Sequence, residues 1–127
     1  MKLRIHRNSL RLRLSRSHVE RFRKTGICTD AIGFGSASQL TYTLETSSSW
    51  REMEARYNQD CIRILLPLEM AEKWAGSDQV SLSLERDANS GPSLLVEKDF
   101  QCLHSDERDL SKDADSFPSP SADDQGK

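Results

Sequence analysis

The sequence predicts a mainly β protein with two short helices, an α+β fold in which two β-β-α-β-β repeats close on each other as one pseudo-two-fold barrel. Three observations predict it. Apolar and polar residues alternate with period two through most of the first hundred residues, as in half-buried strands. Two stretches with helix start and stop signals interrupt that alternation. The whole pattern then recurs with an offset of 52 positions.

In the first half, Leu3 and Ile5 alternate with Lys2, Arg4 and His6. After an Asn8-Ser9 turn signal, Leu10, Leu12 and Leu14 alternate with Arg11 and Arg13. Ser17 followed by Glu20 reads as a capping box, in which each side chain would satisfy the other's free backbone N–H. Val19 and Phe22 share one helical face and Gly26 is placed to end the helix. Ile27 to Phe34 and Gln39 to Glu45 read as two further strands joined through Gly35-Ser36-Ala37-Ser38.

The second half begins after the Ser47-Ser48-Ser49 break. Met53, Ala55 and Tyr57 alternate, Asn58-Gln59-Asp60 turns, and Ile62, Ile64 and Leu66 resume around Arg63. Pro67 opens a helix whose apolar face is Met70, Ala71 and Trp74, and Gly76 ends it. Val80, Leu82 and Leu84 form the next strand, Asn89-Ser90-Gly91-Pro92 a turn, and Leu94 to Val96 a last strand running into Glu97, Lys98 and Asp99. The offset places Ile5 on Tyr57, Leu10 on Ile62, Leu12 on Ile64, Ser15 on Pro67 and Phe22 on Trp74.

Neither half is long enough to bury its own apolar faces, so residues 1–103 are expected to form one domain, with halves of about 1–47 and 51–98. Residues 104–127 are rich in Ser, Asp and Pro, with Leu110 and Phe117 their only bulky apolar side chains. Such a segment cannot offset its ordering entropy alone and is expected to be a disordered acidic tail. No apolar run approaches the roughly 20 residues that cross a bilayer, and the basic start lacks a signal peptide's apolar stretch, so a cytoplasmic location is expected.

Net charge is −2, but it is unevenly spread. Residues 1–24 hold nine Lys/Arg against Glu20 alone, or +8, whereas residues 99–127 sum to −5. This polarity suggests either a polyanion-binding surface or an internal pairing of the two ends.

From Ile62-Arg63-Ile64-Leu65-Leu66-Pro67 through Gly76-Ser77-Asp78-Gln79-Val80 to Leu94-Leu95-Val96, the second half resembles the AbrB/MazE swapped-hairpin module of bacterial regulators and antitoxins. The resemblance covers about 45 residues and rests chiefly on Pro67 and the Gly76–Asp78 turn; the first half keeps the plan without those marks. It implies a fused version of a barrel that two identical modules usually form, and a nucleic-acid partner. The chain as a whole also looks like a small uncharacterised bacterial family beginning Met-Lys-Leu-Arg-Ile and continuing Asn-Ser-Leu-Arg-Leu-Arg-Leu.

The leading candidate site is the first β-ribbon. With Leu3, Ile5, Leu10, Leu12 and Leu14 facing the core, Lys2, Arg4, His6, Arg11 and Arg13 share the outer face. Arg7 stands at the turn, and Arg16, Arg21, Arg23 and Lys24 follow in the helix. Lys2, Arg4, Arg7, Arg11, Arg13 and Arg16 are the residues expected to neutralise phosphates. The plainer alternative is a solvated face whose arginines pair with carboxylates across the sheet. Tyr42 and Tyr57 fall on predicted core faces, and only Asn8 on the ribbon could read a base edge, so non-specific phosphate contact is expected.

A weaker candidate is Asp99, Cys102, His104 and Asp106, which could hold a divalent metal but match no zinc spacing. Cys28 and Cys61 could join only if the fold brings them close; otherwise the three cysteines are expected to be reduced thiols. No phosphate loop, nucleophile elbow or paired acid and base is present, so no enzymatic activity and no cofactor are expected. Phe22 and Trp74 are expected as core plugs, and Phe117 as a possible peptide anchor. Two functions compete: a binding module for nucleic acid or another polyanion, and a protein-interaction or regulatory module whose acidic tail masks the ribbon. Either is expected as a monomer or weak homo-oligomer without a membrane partner.

Overall fold

In the computed structural model, which describes residues 1–100, the chain runs β1 (Lys2–His6), β2 (Ser9–Leu14), α1 (Arg16–Thr25), β3 (Ile27–Gly33), β4 (Gln39–Ser47), β5 (Glu54–Asn58), β6 (Cys61–Pro67), α2 (Leu68–Ala75), β7 (Ser81–Leu84) and β8 (Ser93–Lys98). The order β-β-α-β-β thus occurs twice. The strands form two sheets, with orders β1-β2-β8-β7 (sheet A) and β3-β4-β6-β5 (sheet B). Each sheet joins a hairpin from one half to a hairpin from the other through a central parallel pair, β2 with β8 and β4 with β6.

The register shows why the alternation is two-sided. In sheet A, Leu3, Leu12, Val96 and Leu82 form one inward row, and Ile5, Leu10, Leu94 and Leu84 the next. In sheet B the matching rows are Cys28, Leu44, Ile64 and Ala55, then Asp30, Tyr42, Ile62 and Tyr57. Leu12, Leu14, Leu44, Ile64, Leu66 and Val96 are all fully or nearly fully buried between the sheets.

Both helices seal this core. Phe22 from α1 and Trp74 from α2 meet edge to face, with ring centroids 6.1 Å apart. Trp74 is fully buried and donates its indole N–H to the Val80 carbonyl at 3.0 Å, so its one polar atom is satisfied. The expected plug role of both aromatics holds.

Four expectations need correction. The sheets do not close into a barrel: β1 and β7 edge sheet A, β3 and β5 edge sheet B, and no edge strand ladders with the other sheet among the described residues. Phe22, Trp74 and the helices that carry them fill the interior in place of a closed hydrogen-bonded wall. Ile5 and Tyr57 are 59% and 66% exposed, although they lie on the inward faces of their strands. They sit at equivalent edge positions beside the hairpin turns, where the facing sheet no longer covers them.

The third correction concerns α1, which starts at Arg16 and is capped by Ser15, whose Oγ accepts from the His18 N–H, rather than by a Ser17–Glu20 box. Glu20 instead lies 3.9 Å from Arg23. The fourth is that the first hairpin turns at Arg7-Asn8, one residue earlier than the Asn8-Ser9 signal, with Arg7 at φ 51°. By contrast, Gly26 ends α1 in the left-handed conformation (φ 81°) expected of a C-terminal glycine, and Gln59 and Asp60 both take positive φ as a two-residue hairpin requires. The expected domain end at residue 103, the disordered tail of residues 104–127 and the Phe117 anchor lie outside the described residues.

Candidate polyanion interface

The ladder of sheet A assembles the outer face of the first ribbon. One row runs Lys2, Arg13, Glu97, Ser81, and the next Arg4, Arg11, Leu95, Ser83. Four of the six expected cations therefore share one surface. Adjacent cross-strand cations repel, and Glu97 relieves part of that repulsion. Arg13 donates to the Glu97 carboxylate from Nε at 3.2 Å and Nη2 at 3.0 Å, and Arg11 Nε lies 3.6 Å from it. Lys2 lies 3.5 Å from Asp99.

Pairing across the sheet is thus real, and incomplete. Arg4, Arg7 and Arg16 have no carboxylate within ion-pair distance among the described residues. All three are exposed, as is His6. Arg7 occupies the hairpin turn and Arg16 the first position of α1, so the excess charge extends from one end of the ribbon to the other. Asn8, the one ribbon residue suited to a base edge, spends a side-chain N–H on the Gly91 carbonyl at 3.1 Å, and its backbone carbonyl accepts from the Ser93 N–H, tying the turn to the β7–β8 connection.

Sheet B carries the equivalent positions with the opposite outcome. Arg63 stands where sheet A has Arg11, and it forms a two-pronged pair with Glu45 at 2.9 and 2.8 Å. Those hydrogen bonds, chiefly from Arg63 and then from Thr43, hold the Glu45 carboxyl below its ordinary range against the opposing effect of burial. The same pair raises the Arg63 guanidinium above its usual value. Arg56 is matched to Glu54 at 2.8 Å, and Leu65, at the place of Arg13, is fully buried.

Between the two hairpin tips lies an open cleft of about 270 Å³ that the period-two pattern did not signal. Ile5, Leu10, Ala55, Tyr57, Ile62 and Pro92 supply its apolar wall, and Arg7, Asn8, Ser9 and Arg56 its polar rim. The sequence signal that could have found it is the coincidence of Ile5 and Tyr57 under the 52-residue offset, each the last inward position before a turn.

A second titratable cluster sits at the start of the chain. The Met1 ammonium is 3.1 Å from His18 Nδ1 and 3.4 Å from Asp30, and Tyr42 donates its hydroxyl to the Met1 carbonyl at 3.2 Å. Burial first and the ammonium second push the His18 imidazole below its ordinary value. Burial likewise raises the Cys28 thiol.

The metal candidate is not assembled among the described residues. Cys28 faces the core opposite Leu44, whereas Cys61 pairs with Thr41 on the outer face, so the two thiols lie on opposite sides of sheet B. Cys102, His104 and Asp106 lie outside the described residues, and no group of three ligating side chains occurs within them. No helix among the described residues is long and apolar enough to cross a membrane.

The profile of a family of unknown function (DUF7009) matches residues 1–121, which takes in both sheets and most of the acidic C-terminal segment. The chain belongs to that family. Membership in DUF7009 accounts for the full-length resemblance seen in the opening residues, and it assigns no activity to the ribbon or to the cleft. No curated protein and no solved structure matches the chain.

Proposed function

We propose that this DUF7009 protein is a non-enzymatic binding module that presents the outer face of sheet A to nucleic acid or another polyanion. The observation that carries the reading is the charge imbalance of that face: among the described residues Lys2, Arg4, Arg11 and Arg13 meet only Glu97 and Asp99, while Arg7 and Arg16 extend the excess at either end. A polyanion would supply the missing negative charge and release its own counterions on binding. The resemblance of Ile62–Pro67 and Gly76–Asp78 to the AbrB/MazE module supports the same reading, because modules of that kind contact DNA through basic residues on their first strands and loops.

The test is anisotropy titration of labelled duplex and single-stranded DNA across a salt series. Binding should weaken steeply with salt, and Arg11→Ser with Arg13→Ser should weaken it on every sequence and flatten the salt slope by about one unit for each phosphate left without its arginine. Tight binding that ignores salt contradicts the reading.

A second reading is favoured by Asp99. This first acidic residue after β8 donates its backbone N–H to Leu14 and turns its carboxylate to Lys2, so one carboxylate of the acidic end already pairs with the ribbon. In this reading that segment masks the cations until a partner displaces it. Replacing Asp113, Asp115, Asp123 and Asp124 by Asn in the full chain should raise polyanion affinity; unchanged affinity contradicts masking.

A further inference from the structure

The cleft between the hairpin tips differs in kind from the charged ribbon beside it. Its wall is mostly apolar, it is open to solvent, and it displays one aromatic ring, Tyr57, two-thirds exposed. Ile5 and Tyr57, uncovered at neighbouring hairpin tips, join Leu10 and Ile62 in one open apolar surface, which suits a ligand with an apolar face. Arg7 and Arg56 stand on the rim, and Arg7 has no carboxylate partner among the described residues. An apolar slot, an accessible aromatic face and a neighbouring guanidinium are together the chemistry that receives an unstacked nucleobase next to its phosphate.

We infer that the cleft lined by Ile5, Leu10, Tyr57 and Ile62 holds one base of a single-stranded nucleic acid, with Arg7 meeting the adjoining phosphate. This inference rests on the polyanion reading and narrows it from any polyanion to unpaired nucleic acid. The Tyr57 ring supplies the stacking surface, and Ile5 closes the slot from the facing hairpin. Asp60, which accepts from the Tyr57 hydroxyl at 3.3 Å, steers that hydroxyl toward its own turn. Arg56, already paired with Glu54, contributes its flat guanidinium rather than a free charge. A duplex keeps its bases stacked and cannot fill the slot without unpairing, so single strands are preferred.

The experiment titrates the full chain with labelled oligothymidylate of about 12 nucleotides, with its duplex, and with inorganic polyphosphate as a competitor that has charge and no bases. Oligothymidylate should bind about tenfold more tightly than either of the others. Tyr57→Ala should remove that advantage, weakening oligothymidylate about tenfold and leaving polyphosphate unchanged, and Tyr57→Phe should restore it, since the ring and not the hydroxyl does the stacking. Because Tyr57 is exposed, both variants should melt with the parent; the added indole emission of Tyr57→Trp, quenched by oligothymidylate and not by polyphosphate, gives an independent readout. Equal affinity for polyphosphate and oligothymidylate, or full binding by Tyr57→Ala, overturns the base slot while leaving the polyanion reading intact. Failure of all three probes to bind overturns both.

Discussion

Sheets A and B share one strand order and the registers of their first hairpins and central parallel pairs, and diverge on their outer faces. Each has a central parallel pair, an inward row of branched aliphatics and a Glu at the same place, Glu97 in one and Glu45 in the other. Around Glu45 the cation count is balanced and Leu65 is buried; around Glu97 two arginines compete for one carboxylate, and Arg13 stands where sheet B has Leu65. Sheets of the same strand order with opposite surface outcomes separate what the fold needs from what it tolerates. Sheet B shows that the architecture is satisfied by paired charges. By that comparison the surplus on sheet A is expected to add little to stability.

The largest expected effect comes from imposing one face on the other. Leu65→Arg forces a larger, charged side chain into a fully buried place between Glu45 and Glu54, which Arg63 and Arg56 already hold, and should cost about 3 kcal/mol in urea unfolding. The reciprocal Arg13→Leu should cost about 1 kcal/mol or less, because Glu97 keeps Arg11 and the lost pair is partly solvated. Similar losses for the two would erase the distinction between the faces.

Glu45→Gln sharpens the comparison through pH. The Glu45 pKa is lowered in the fold, so its pairing with Arg63 stabilises fully above the ordinary carboxylate value of 4.5 and is lost as pH falls through the depressed folded value. Near neutral pH the variant should lose about 1 kcal/mol, reduced from a buried pair's worth by the partial exposure of Arg63. The gap from the parent should close in acid. A gap constant with pH would mean that packing, not charge, is lost.

The smallest effect is expected where the helices differ. His18 on α1 stands at the position of Met70 on α2, and its pKa is lowered mainly by burial. The unfolded chain therefore binds a proton that the fold resists, and stability falls as pH drops below the ordinary value of 6.5. His18→Gln should abolish that part of the pH dependence in thermal melts; a decline that persists unchanged would assign it elsewhere.

The elements were legible because period two and the glycine stops act locally: the inward rows led by Leu12 and Ile64, the plugs Phe22 and Trp74 and the Gly26 cap all stand where the spacing places them. The ribbon's shared cationic face was legible for the same reason. What the spacing could not carry is length matching between layers. Ile5 and Tyr57 alternate correctly and still emerge from cover, because burial at a hairpin tip depends on how far the opposite sheet reaches. Cross-strand partners are equally invisible along one strand, so the Arg13–Glu97 and Arg63–Glu45 pairs, separated by 84 and 18 residues, emerge only from the topology. Barrel closure is illegible for a related reason, since alternation reports a buried face and not whether edge strands meet.

The central claim, that surplus charge on sheet A is a binding surface, is tested most directly by changing equivalent arginines one sheet at a time. Arg11→Ser and Arg63→Ser would each be titrated against labelled duplex DNA at low and physiological salt, after circular dichroism has shown both to be folded. Arg11→Ser should weaken binding severalfold and lower the salt slope, while Arg63→Ser, whose guanidinium is already held by Glu45, should leave both near the parent. Equal loss from the two variants, or loss from Arg63→Ser alone, would contradict the claim.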